Sequence, residues 1–254
     1  AYVDRTWRRL PGSGFSDEML TYDLDLQHRF AIGERHSLVW GAGYRLMQND
    51  VNSFPEFQVF PARRNMQLFS AFLQDEITLI PDRWRLTLGT KLEHNDFSGF
   101  ELQPSGKLAW TPTERHTIWG AISRAVRSPS RLDADLWTPT VSGNPDFDSE
   151  KVTVYELGYR VRPLPRLSLS LAAFYNNYED VRSFNLNPAV LPPLILANNQ
   201  EAETWGVELS ANFQVTDWWR LRAGYTFLEE DIDATSITVF PGSQGFEAID
   251  PHHK

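Results

Sequence analysis

Cysteine is absent from the 254 residues. That excludes disulfide stapling, thiolate metal sites and a cysteine nucleophile. A basic surplus is also lacking, since 24 Lys and Arg stand against 33 Asp and Glu, a formal net charge of −9. Nucleic acid is therefore not an expected partner, because binding it needs a cationic stripe that displaces counterions. No run approaches the ~18 apolar residues of a membrane helix. The longest greasy stretch, Ala189–Ala197, is interrupted by Pro192 and Pro193. No secretory leader is visible and the chain begins on Ala1, so it is expected to be processed, excised or incomplete.

Catalytic signatures are missing as well. There is no G-x-S-x-G or H-E-x-x-H, and Gly99 and Gly106-Lys107 have the wrong spacing for a phosphate loop. Acidic neighbours such as Asp75-Glu76, Glu179-Asp180 and Glu229-Glu230 project to opposite faces of a strand, which does not make a catalytic pair. His252-His253 reads as an exposed tail or as the lead-in to a further strand. The expectation is a protein without enzymatic activity, bound metal or cofactor.

What the chain does have is aromatic residues, 16 Phe, 9 Trp and 8 Tyr, interleaved with polar ones at a period of two. Leu20, Tyr22, Leu24, Leu26, Phe30 and Ile32 alternate with Thr21, Asp23, Asp25, Gln27 and Arg29. The same alternation recurs from Trp84 to Glu93, Leu167 to Asn176, Thr204 to Val215 and Trp219 to Phe227. A period of two means a strand with one apolar and one polar face. Less regular strands near 1–9, 36–47, 66–79, 101–111, 116–126 and 151–162 bring the total to about eleven. Strands 66–79 and 116–126 carry apolar residues at both parities, so their faces stay unassigned. No helical period stands out, and the fold class is all-β.

The connections alternate. Tight ones at 32–35, 79–83, 111–115, 162–165 and 215–217 carry Gly, Pro or Asp turn chemistry. Longer ones at 10–16, 48–65, 95–100, 127–150, 179–202 and from Glu229 onward lie between them. In an antiparallel up-and-down meander, alternate connections share a rim, so one rim holds the turns and the other the loops. Outer-membrane barrels have that segregation. Trp84, Trp110, Trp218 and Trp219 lie near the tight turns, where an interfacial girdle or ordinary hairpin-end packing would each put them.

Several segments resemble one family. Leu68-Phe69-Ser70-Ala71-Phe72-Leu73-Gln74-Asp75-Glu76-Ile77, then a turn and Leu86-Thr87-Leu88-Gly89, is similar to the barrel of TonB-dependent outer-membrane receptors. In that order follow Gln103-Pro104-Ser105, Ser123-Arg124-Ala125-Val126-Arg127-Ser128-Pro129-Ser130, Gly143-Asn144-Pro145, Tyr155-Glu156-Leu157-Gly158-Tyr159 and Asn198-Asn199 before Trp205-Gly206-Val207-Glu208-Leu209. The resemblance implies that residues 1–254 are about half of a 22-stranded barrel, with a plug domain and C-terminal strands elsewhere. It implies a bacterial outer-membrane location, lipid contact, TonB as partner through the plug, and uptake of a ferric siderophore or similar nutrient. The strand pattern alone also admits a passive porin or adhesin barrel, or a soluble all-β glycan-binding module.

Candidate ligand contacts are Phe57, Phe60, Arg63 and Arg64 at the end of loop 48–65, with Arg127 and Arg131 beside loop 127–150. Rings and guanidiniums together suit a flat anionic ligand. The same residues could instead pack the loop on itself and pair with Asp133, Asp135 and Asp146.

Overall fold

The computed structural model describes residues 1–234; the expected strand lead-in at Pro251-His252 lies outside them. The strands are β1 (Tyr2–Arg9), β2 (Ser16–Ile32), β3 (His36–Asn52), β4 (Gln58–Val59), β5 (Arg63–Ile80), β6 (Trp84–Asn95), β7 (Gly99–Thr113) and β8 (His116–Arg127). Helix α1 (Arg131–Asp135) follows, then β9 (Leu136–Trp137), β10 (Val141–Ser142), β11 (Glu150–Leu164), β12 (Leu167–Leu186), β13 (Leu194–Gln214) and β14 (Arg220–Ala234). All belong to one 14-stranded sheet. The long strands form an antiparallel meander in chain order from β1 to β14, and these are the expected alternating strands.

Three two-residue strands and a five-residue helix were not expected. All four sit in loops, too short to leave a period. Three loops are also shorter than the sequence reading placed them, with 48–65 reduced to 53–62. Residues 179–202 are mostly strand, because β12 and β13 run 20 and 21 residues and only 187–193 turn the hairpin. A tilted strand needs ~9–11 residues to cross a membrane, and both strands are about twice that length. Likewise β6 and β7 leave only residues 96–98 between them, and β14 continues through the expected tail to Ala234.

Register resolves the faces. One row of direct partners runs Ile77, Leu86, Leu108, Gly120, Leu157, Ala173, Val207 and Phe227 across eight strands. A row three residues further along, on the opposite face, runs Val39, Gln74, Gly89, Ser105, Ser123, Val154, Asn176 and Thr204. The first face is apolar and open, with Leu209 47% exposed and Leu221 46%. The second carries loop 128–149, so it is the inner face, and Glu208 and Arg220 lie on it with Gly89.

The two ambiguous strands now have faces. In β5, Phe69, Ala71, Leu73 and Ile77 lie on the outer face and Leu68, Phe72 and Gln74 on the inner. In β8, Ile118, Gly120 and Ile122 are outer and Trp119 is inner. The inner aromatics have a physical reason. The Trp119 indole lies over Gly158 on the neighbouring strand and the Phe72 ring over Gly41, each filling the space a Cβ would occupy. Glycine opposite an aromatic lets a large ring lie flat on the inner wall. Asp75 is a charged residue on the outer face, where the His36 imidazole meets its carboxylate at 2.7 Å.

Candidate functional site

The loop-rim end of the inner face is where side chains converge. The chain leaves β8 through Ser128-Pro129-Ser130. Ser130 then caps α1, its hydroxyl accepting from the Asp133 N–H while the Asp133 carboxylate accepts from the Ser130 N–H. This reciprocal cap explains why a single helical turn persists. From α1 the loop pairs in two directions. Leu136 and Trp137 of β9 pair with Val59 and Gln58 of β4, and Ser142 of β10 with Trp137. Val141 and Ser142 in turn run parallel to Leu194 and Ile195 of β13. Loop 128–149 thus ties loop 53–62 to the β12–β13 hairpin, over strands that are far apart in the sheet order. All but Val39 of the buried apolar residues gather there too: Val51, Val59, Met66, Ala134, Phe147, Leu196, Ala197 and Ala202.

Two carboxylates organise the charges. Asp135 accepts from Arg64 at 2.6 Å and from Arg131 at 2.9 Å. Buried Arg131 also donates to Asn49 on β3 at 2.6 Å and to the carbonyl of Pro61. Arg64 stacks its guanidinium 4.4 Å from the Phe97 ring centroid. Asp133, only 1% exposed, has Arg127 at 3.3 Å and Arg182 at 3.5 Å. Burial pushes the Asp133 carboxyl upward, but the Ser130 N–H and hydroxyl, then Arg182 and Arg127, outweigh it and hold it below the usual carboxylate range. Arg127 also pairs with Glu150, which faces it across the β8–β11 ladder.

The expected ligand residues are therefore distributed. Arg63 and Arg64, adjacent in sequence, fall on opposite faces: Arg63 pairs with Asp50 on the outer face and is 84% exposed, while Arg64 points into the loop cluster. Phe57 packs edge-on against Phe15 and stacks with Phe54, whereas Phe60 is 60% exposed. Arg131 is buried and Arg127 half-exposed. Asp133 and Asp135 take the arginines, and among the described residues Asp146 takes none. Sequence reasoning missed Arg182, whose guanidinium is 44% exposed, and Asn49. It also missed the work of Asn198, which donates to the carbonyls of Asp180 (2.8 Å) and Asp148 (3.2 Å). Asp180 sits at φ 57 in a bulge of β12, so Asn198 pins an irregular backbone to the neighbouring loop.

Comparison with known proteins gives this wall its context. A family model described as TonB dependent receptor-like, beta-barrel, matches residues 2–252. The iron-regulated outer membrane virulence protein of Vibrio cholerae serotype O1 is 27% identical over 179 residues, covering 64% of this chain and 27% of that protein. The probable TonB-dependent siderophore receptor PiuA of Acinetobacter baumannii is 27% identical over 185 residues, covering 64% and 24%. The chain spans about a quarter of the length of these curated relatives. Among solved structures, the siderophore receptor PirA from Pseudomonas aeruginosa superposes with a TM-score of 0.70 at 19% identity, over 85% of this chain and 41% of that one. A ferric enterobactin receptor (PfeA) mutant from the same organism, in complex with enterobactin, gives 0.69 at 20% identity over 84% and 36%. At that identity the superpositions establish the fold, a partial barrel wall. The fold fits the bacterial outer membrane, with the open apolar face outside the wall and the polar face inside it. This chain belongs to the TonB-dependent receptor-like β-barrel family.

Proposed function

We propose that the chain is the wall segment of a receptor that takes up a ferric siderophore by TonB-coupled transport, its plug lying elsewhere in the full-length protein. The observation that carries this reading is the loop cluster over the lumen face. It presents the half-exposed guanidiniums of Arg127 and Arg182 beside buried Asp133. The named relatives include siderophore and ferric enterobactin receptors. A ferric chelate with anionic oxygen donors suits guanidinium recognition. In this reading Arg127 and Phe60 contact ligand, Arg64 and Arg131 position the loops, Phe57 packs loop 53–62, and Arg63 acts outside the lumen.

The test is uptake of radiolabelled ferric enterobactin by cells carrying the full-length gene, with and without TonB. Uptake that depends on TonB supports the reading. Equal uptake without TonB identifies a passive pore and overturns it.

A further inference from the structure

The opposite rim carries a repeated unit that the transport reading does not use. The first three tight turns each end in an acid followed by arginine: Glu34-Arg35, Asp82-Arg83 and Glu114-Arg115. Left-handed backbone at Gly33 (φ 61) and Asp82 (φ 59) closes the first two. The arginine occupies an equivalent place in each turn. The carbonyls of Arg35, Arg83 and Arg115 accept from the N–H groups of Thr78, Thr111 and Arg162, all at 2.8 Å. Those bonds fasten each turn to the next hairpin, so the units repeat every two strands, about 10 Å apart.

All six side chains are exposed, and among the described residues none has a hydrogen bond or ion pair. Acid and arginine sit side by side in each turn without neutralising each other. By contrast, Arg166 in the fourth turn pairs with Asp217 at 2.8 Å. The turns lie past the last ladder pairs, beside residues suited to a membrane interface: Trp84 stacks on Trp110 at 5.5 Å, and His116 bonds the Tyr159 hydroxyl at 2.7 Å. Above them on the lipid face runs an apolar groove of about 520 Å³, lined by Trp110, Pro112, Ile118, Tyr159 and Leu171. On the inner side of the same rim, a cleft of about 850 Å³ lined by Thr78, Arg85, Ala109 and Thr117 also touches Asp82, Arg83, Pro112 and Glu114.

We propose that this rim is a binding site for a phosphoethanolamine lipid. Guanidiniums take the phosphate, carboxylates take the primary ammonium, and an acyl chain lies in the groove. The charges select this zwitterion. An anionic glycerol headgroup offers the three carboxylates only neutral hydroxyl donors and no cation, and a choline ammonium has no N–H to donate. The inference rests on the barrel's seat in the bilayer and is independent of what the lumen transports.

The test uses the full-length receptor in detergent, mixed with equal amounts of phosphatidylethanolamine, phosphatidylcholine and phosphatidylglycerol. Retained lipid is read by native mass spectrometry. Phosphatidylethanolamine should be retained over each of the others by roughly threefold or more, ~0.65 kcal/mol. Arg35→Gln/Arg83→Gln/Arg115→Gln should remove that excess. Glu34→Gln/Asp82→Asn/Glu114→Gln should move preference toward phosphatidylglycerol, and Arg5→Gln, a charge change far from the turns, should do nothing. Assembly is checked by heat-modifiable migration on gels, and the single variant Arg83→Gln serves if the triple does not assemble. Equal retention of the three lipids by the wild type overturns the proposal. So does an assembled arginine variant, triple or single, that keeps the full excess.

Discussion

Arg131 offers a way to measure how strongly the loops are tied together. Its guanidinium links α1 to Asn49 on β3 and to the Pro61 carbonyl in loop 53–62, and pairs with Asp135 within its own helix. Arg131→Met keeps the apolar stem of the side chain and removes the charge and every donor. Deleting one partner of a buried ion pair costs ~3–5 kcal/mol. Asp135 retains Arg64 at 2.6 Å, so the lower end applies, about 3 kcal/mol. Ten-fold per ~1.4 kcal/mol then gives a loss of protection of roughly 100-fold for the loop amides. Hydrogen exchange with mass spectrometry on the full-length receptor reads this directly. The informative amides are Phe60, which donates to Asp135 at 2.9 Å, and Gly143, which donates to Leu136 at 2.7 Å. Peptides from β6 should exchange as in the wild type. Unchanged protection at Phe60 and Gly143 would show that Arg131 does not carry the tie. Loss in β6 as well would show that loops and wall open as one unit.

The other predictions concern faces, pH and sidedness. Leu209→Arg, on the lipid face, should cost ~2–4 kcal/mol in barrel stability and Glu208→Arg, on the lumen face, about 0–1 kcal/mol; urea titration of the receptor in vesicles would expose a reversed assignment. The Asp133 carboxyl is held below its unfolded value of ~3.9, so its contribution is present above about pH 4 and lost as pH falls through the lower folded value. Loop exchange should therefore rise only below about pH 4, and Asp133→Asn should flatten that dependence; a loosening centred near neutrality would refute it. With the short turns periplasmic, a cysteine at Asn187 should react with an impermeant thiol reagent on intact cells, and one at Asp82 should not; the opposite labelling inverts the topology.

Much of the wall was legible because a two-residue period is a property of each strand alone. Leu167 to Asn176 and Thr204 to Val215 show it without reference to their neighbours. Strands 66–79 and 116–126 hid their faces because Phe72 and Trp119 turn inward, which is possible only over Gly41 and Gly158 on other strands. No reading of one strand contains that pairing. The β12–β13 hairpin was hidden differently: its strands run well past the ~9–11 residues a membrane crossing needs, and the bulge at Asp180 breaks the alternation there. The loop cluster was partly visible, as Asp133 and Asp135 were expected to attract arginines. Treating Arg63 and Arg64 as one cationic unit ignored the alternation that had defined the strands. Arg182 and Asn49 carried no local signal, since their importance comes from loop 128–149 reaching across the sheet.

That reach bears on how the exposed surface can change over evolutionary time. Loop 53–62 lends its backbone to β9 through Gln58 and Val59, and β13 lends its own to β10 through Leu194 and Ile195. An insertion in either place would throw its partner out of register, so these segments are constrained to drift together. The turns at Gly12–Gly14 and Asn187–Val190 have no such obligation, and length changes can accumulate there without disturbing the rest. A protein shaped this way can vary the tips of its loop rim while keeping one shared frame over its inner face.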